Sequence, residues 1–182
     1  MEEFLDDDPF KSRAVIEMLT VANEYCMFFE SAEKYSADEI LFYFQRIAPL
    51  LYLKGSLLPM VENSDEGFAD RYVTEEQWEG IFKTLRDKLG ISARYYLHNQ
   101  NFDTVEANLS EDIADLYQDL KDFVMQYQKN TLDARQKAVV QLKSLFPGRW
   151  GMILVNAMMA VHRNLYHDSL DPAISETDNG WY

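Results

Sequence analysis

The chain has 182 residues, enough for one domain that buries roughly 70% of its unfolded surface, and its 47% hydrophobic and 14% aromatic content exclude a disordered segment. Its 31 acidic and 17 basic residues give a net charge of −14. Such a field repels phosphate backbones and anionic headgroups, so neither nucleic acid nor a membrane surface is an expected partner.

The first eight residues carry Glu2, Glu3, Asp6, Asp7 and Asp8 and read as an acidic lead-in, 1–8, without the basic and apolar regions of a signal peptide. Asp8-Pro9 supplies a cap and a proline at the first helical position. Apolar residues then recur at helical spacing over 10–32, with Phe4 or Leu5 available to staple the start. Cys26 lies within that stretch. As the single cysteine it excludes a disulfide framework and a cysteine-based zinc site, and a buried, unreactive thiol is its expected state.

Ser36 and Glu39 form a capping box. The helix behind it carries Leu41, Phe42, Phe44, Ile47, Ala48, Leu51 and Tyr52, apolar around most of its circumference. That pattern suits a central helix, kinked or divided at Pro49 and fraying at Gly55 and Pro59. Gln45, Arg46, Pro49 and Lys54 interrupt the stretch, so it is no membrane span. Residues 61–73 have loop composition. Thr74 and Gln77 form a second capping box, opening a helix with Trp78, Ile81, Phe82, Leu85 and Leu89 that stops at Gly90. Residues 91–98 hold strand-friendly side chains but are read as a short helix behind Ser92.

A helix over 105–128 follows, with Ile113, Leu116, Tyr117, Leu120, Phe123 and Tyr127 on one face. Asn130-Thr131 caps the next, 132–146, which Pro147-Gly148 ends. A last helix over 149–166 carries Trp150, Leu154, Ala157 and Val161, and residues 167–182 read as a C-terminal tail ending in Trp181-Tyr182. No alternating strand of useful length and no internal repeat is present. The expected architecture is all-α: one domain over 1–182, a mostly up-down bundle of about six or seven helices. The expected compartment is the cytoplasm.

The conspicuous constellation is the stripe Asp112, Asp115, Asp119 and Asp122, whose steps of three and four put four carboxylates on one side of a helix. Three uses compete: a divalent cation such as magnesium, calcium or manganese, a basic protein partner, or pairing with cations of a neighbouring helix. Arg149, Asn156 and Arg163 share a face at spacing seven and supply a pairing set, with Lys129, Arg135, Lys137 and Lys143 in the basic stretch before them. That adjacency makes internal pairing the reading to beat.

No catalytic residue announces itself. Glu-x-x-His and His-x-x-Glu are absent, and His98, His162 and His167 do not share a helix face. His167 with Asp168 and Asp171 is a weak cation signal, and a histidine favouring a helix C-terminus is its simpler role. There is no Gly-x-Ser-x-Gly elbow and no glycine-rich phosphate loop. No metal and no cofactor is assigned.

The run EDIADLYQDLKD, followed about 25 residues later by RWGMILVNAMMAVHRNL, resembles an uncharacterised bacterial family, the domain of unknown function numbered 5063. The match is clearest over 109–165. The resemblance implies an all-α cytoplasmic domain and no assigned activity. It directs attention to Asp112, Asp115, Tyr117, Asp119, Lys121, Trp150 and His162. Met152 and Asn156 stand where the family pattern is more polar or histidine-bearing, against a shared catalytic histidine. The expected function is a non-enzymatic protein-interaction or scaffold domain that offers an acidic helical face to a basic partner, through Asp112, Asp115, Tyr117, Asp119, Asp122, Trp150, His162 and Arg163. A divalent-cation-binding protein or hydrolase using Asp112, Asp115 and Asp119 is the alternative. Sequence leaves the oligomeric state open.

Overall fold

A computed structural model describes residues 8–60, 70–98, 101–129 and 131–170. The acidic lead-in before Asp8, most of the 61–73 loop and the tail beyond Leu170 lie outside the described residues. What is described is one mostly helical domain around a single hydrophobic core. No helix among the described residues is long and apolar enough to cross a membrane.

Helix α1 spans Arg13–Phe29, preceded by a 3-10 turn whose Phe10 amide donates to the Asp8 carboxylate at 2.9 Å. Helix α2, Ala37–Ser56, begins at the expected capping box: the Glu39 amide donates to Ser36 Oγ at 3.3 Å and the Ser36 amide to Glu39 Oε2 at 2.8 Å. Helix α3, Glu75–Leu89, opens at the Thr74–Gln77 box and ends at Gly90, which takes φ +53°, a conformation that suits glycine.

Residues 91–98 correct the expectation of a short helix. After a 3-10 turn over Gly90–Ala93, strands β1 (Arg94–His98) and β2 (Thr104–Asn108) form an antiparallel hairpin in which Tyr95 faces Ala107 and Leu97 faces Val105. Tyr-Tyr in an extended segment buries alternate side chains, and here Tyr95 is buried while Tyr96 is exposed. The hairpin also takes residues 105–108 away from the helix expected there, so α4 runs Leu109–Tyr127 behind an Asn108 cap.

Helix α4 is the central helix. It packs against α1, α3, α5 (Leu132–Leu145) and α6 (Gly151–Leu170). Two buried tyrosines tie it in: Tyr25 donates to the Ile113 carbonyl at 3.0 Å, and Tyr127 to the Phe10 carbonyl at 2.8 Å. Cys26 is buried against it, and burial pushes the thiol up to about 12, an unreactive state.

Three further expectations change. Pro49 does not divide α2, which runs unbroken through it. The proline is exposed, and it costs α2 one internal hydrogen bond. The helix that Pro147-Gly148 ends stops at Leu145 rather than 146, and a π-type turn over Phe146–Trp150 leads directly from it into α6. The last helix also continues past 166 to Leu170, with a break in backbone angles at Tyr166 (φ −125°, ψ 19°).

Gly55 is not a frayed end but a buried position inside α2. A Cβ there would stand 2.1 Å from Trp150 Cη2. Trp150 is fully buried, packed on Phe146 at a ring separation of 4.7 Å and anchored by its indole N–H to the Leu142 carbonyl at 2.8 Å. The ring cannot yield, so Gly55→Ala is expected to destabilise the fold by about 1–3 kcal/mol. Urea unfolding followed by tryptophan fluorescence measures it; an unchanged midpoint would show that α2 and α6 are free to separate.

Candidate functional site: the α4 aspartates and the outer face of α2 and α6

The four aspartates do lie along one side of α4, but that side faces neighbouring segments of the molecule, with Asp119 and Asp122 buried and Asp112 and Asp115 half-buried. Each holds a different neighbouring segment. Asp112 Oδ2 accepts from the Tyr95 hydroxyl at 2.6 Å, which docks the hairpin. Asp115 Oδ1 accepts from the Trp78 indole N–H at 2.9 Å, which seats α3. Asp119 Oδ2 meets Arg149 Nε at 2.7 Å, which ties down the turn between α5 and α6. Asp122 Oδ1 accepts the backbone amides of Tyr72 at 2.7 Å and Val73 at 3.0 Å, which fixes the chain entering α3. One turn on, Gln126 Oε1 takes the Tyr72 hydroxyl.

The environment follows from burial. Asp119 and Asp122 are buried, and the Asp119 side chain is only 4% exposed. Burial raises the Asp119 carboxyl above its ordinary range, and Arg149 pulls it back. Asp112 goes further: burial lifts it to about 6, opposed by the Tyr95 hydrogen bond and reinforced by the nearby Asp115 and Glu111 charges. Asp119 and Asp122 line a crevice of about 20 Å³ together with Arg71, Phe123 and Leu142. It has room for about one water and no substrate.

The remaining expected site residues do not join the stripe. Tyr117 points to the α1 side, where its hydroxyl donates to Glu30 Oε1 at 3.0 Å and Lys121 pairs with the same oxygen at 2.7 Å. Trp150 is a core residue seated on Gly55. His162 and Arg163 are exposed on α6, and the His162 ring packs on Tyr166 at 4.8 Å. Of the arginine pair proposed as counter-ions, Arg149 reaches an aspartate; among the described residues Arg163 makes no ion pair. No three histidine, cysteine or carboxylate side chains among the described residues converge as a cation would require.

A second surface went unread in the sequence. Helix α2 is apolar around its circumference yet not central: its outer side carries Phe42, Leu53 and Leu57 into solvent. Helix α6 lies antiparallel beside it, in a register set by Gln45 Nε2 donating to the Tyr166 hydroxyl at 2.9 Å at one end and Gly55 on Trp150 at the other. Its outer side adds Met152, Val155 and Met159; all six side chains are between 36% and 55% exposed. Residues 40–61 and 134–167 contain no Asp or Glu, so the acids of α2 stop in its first turn, at Asp38 and Glu39. That absence was legible in the sequence and was the available signal.

The family model for the domain of unknown function DUF5063 matches residues 10–167. The chain belongs to this family. A crystal structure of protein BF1032 from Bacteroides fragilis, a structural-genomics target, is similar at 35% identity and a TM-score of 0.77, over 85% of this chain and 94% of that one. None of the curated proteins matches. Family membership brings a fold with it and no activity.

Two outcomes follow from the α4 contacts. Because Asp112 is raised from 3.8 to about 6 on folding, the folded state binds the extra proton between these values. Its contribution to stability is therefore full below pH 4 and is lost as the pH rises through 6. Asp112→Asn keeps an acceptor for Tyr95 and is expected to match the parent near pH 4 and exceed it at pH 7; thermal melts across that range check it, and a variant less stable at pH 7 would contradict the burial argument. For the Asp119–Arg149 pair the effect is asymmetric. Arg149→Met leaves a buried carboxylate alone, an expected loss of about 3 kcal/mol at pH 7 that shrinks on acidification. Asp119→Asn leaves an arginine whose side chain is 36% exposed and can hydrate, so the loss is smaller, about 1 kcal/mol. Chemical denaturation of both variants at pH 7 and pH 4 reads the difference.

Proposed function

We propose that this chain is a non-enzymatic protein-interaction domain of the cytoplasm and that its docking surface is the outer face of α2 and α6. One observation carries the reading: two adjacent antiparallel helices expose Phe42, Leu53, Leu57, Met152, Val155 and Met159 together, where solvent-facing helix sides are ordinarily polar. Scattered exposed apolar residues need no explanation, but six on one ridge pair do.

Offering the α4 stripe to a basic partner would mean undoing internal bonds first. Asp112, Asp115, Asp119 and Asp122 each have a partner within the molecule at 2.6–3.0 Å. The same occupancy argues against the cation-dependent hydrolase, since its three carboxylates serve three different segments.

A photo-crosslinking side chain at Leu53 tests the proposal in cells that express the protein, with the same group at Glu79 on α3 as control. The expected result is one discrete adduct from position 53, none from 79, and its loss on Met159→Glu with the melting temperature unchanged. Hydrogen exchange on the purified adduct partner and the native chain should then show protection confined to α2 and α6. Protection on α4 and the hairpin instead would return the docking role to the aspartates.

A further inference from the structure

The charge on this face specifies more than that something docks. Among the described residues most cations of the acidic molecule are already neutralised: Arg13 and Lys54 by Glu17, Arg94 by Glu106, Lys121 by Glu30, Arg149 by Asp119. Arg46 and Arg163 make no ion pair there, and both belong to the apolar face. A step of four from Phe42 and seven from Leu53 puts Arg46 on the outer side of α2. Steps of four from Met159 and eleven from Met152 put Arg163 on the outer side of α6. Since the helices are antiparallel with Gln45 beside Tyr166, the two arginines stand at about the same level, one on each helix.

We infer that the partner is an apolar helix bearing carboxylates, which lays Leu-, Met- or Phe-type side chains between α2 and α6 and pairs its acids with Arg46 and Arg163. This rests on the docking face proposed above and adds the partner's charge to it. The chemistry favours arginine here: a weakly hydrated planar fork loses little on partial burial and engages a carboxylate through two donors. Elsewhere the net charge of −14 repels an acidic ligand, and the stretch without Asp or Glu is where an acidic helix approaches without that repulsion. A second copy of the chain fits less well. The same face on a second copy has no Asp or Glu within residues 40–61 or 134–167 to offer either arginine, leaving desolvated cations unpaired. A basic helix would bring no partner for either arginine.

The test uses the full chain and two synthetic amphipathic helices that share one apolar face, Leu and Phe at i, i+3, i+4 and i+7, and differ in having Glu or Lys along both flanks. Fluorescence anisotropy of the labelled peptides is expected to show the Glu helix binding at least about tenfold more tightly than the Lys helix. That preference should fall with salt over the range in which surface charges are screened. Arg46→Glu with Arg163→Glu is expected to reverse the preference without altering the circular dichroism melt, and Leu53→Glu is expected to abolish both interactions.

Equal affinities of the two peptides, both lost in Leu53→Glu, would overturn the acidic-partner inference while leaving the docking face intact. Binding of neither peptide would overturn it as well, with the crosslink at position 53 deciding the face separately. Sedimentation showing a dimer that Leu53→Glu dissolves would assign the face to a second copy. Binding that appears only after removal of residues 171–182 would assign it to the chain's own C-terminal segment. Either of these last two results overturns the inference.

Discussion

A helix buried around most of its circumference has to find a partner for each charge it turns inward, and α4 turns Asp119 and Asp122 fully, and Asp112 and Asp115 partly, inward. A lone carboxylate in such a place costs several kcal/mol, so the neighbours of α4 are held where they donate to it. The hairpin, α3, the chain entering α3 and the α5–α6 turn are each located by one of these contacts, through a tyrosine hydroxyl, an indole N–H, two backbone amides and a guanidinium. Apolar packing alone is non-directional and would tolerate sliding of α3 along α4. The directed bonds remove that freedom. An acid stripe that looks like a surface property in sequence is, in the fold, a set of addresses.

How much was legible depends on how local the signal is. Both capping boxes act within four residues, and both are present as read. The stripe's spacing was also legible, and so was one of its partners, because Arg149 is charged and stands out in an acidic chain. Trp78 and Tyr95 were not, since neutral donors lying 37 and 17 residues away leave no charge pattern behind. The hairpin was missed because strands of five residues are too short for alternation to outweigh a helical reading. Helix α2 misled for a different reason. An all-round apolar helix implies cover on all sides, and sequence cannot say whether the cover comes from the same chain.

The uneven distribution of charge bears on that distinction. Thirty-one acids keep a protein of this size dispersed, yet none falls in residues 40–61 or 134–167. If the outer sides of α2 and α6 were ordinary solvent faces, nothing would keep acids off them, because Glu is a good helix former and exposed positions accept it readily. Their absence from two segments distant in sequence and adjacent in space is a property of the surface those segments build together. It sets the face apart in sign as well as in polarity.

The two regions are also mechanically joined. Arg149, held by Asp119, belongs to the turn that carries Phe146 and Trp150. Trp150 fills the space Gly55 leaves, Phe146 packs on Tyr52 at 5.2 Å, and Lys143 donates to the Ser56 carbonyl at 2.9 Å, closing the C-terminal end of α2. The seat of Trp150 on Gly55, one of the two contacts that set the register of α2 against α6, therefore adjoins the ion pair that Arg149 makes with Asp119 on α4. A change at Asp119 or Arg149 would be felt at the outer face without touching it. The aspartates thus bear on the proposed docking face as part of the internal frame beneath it.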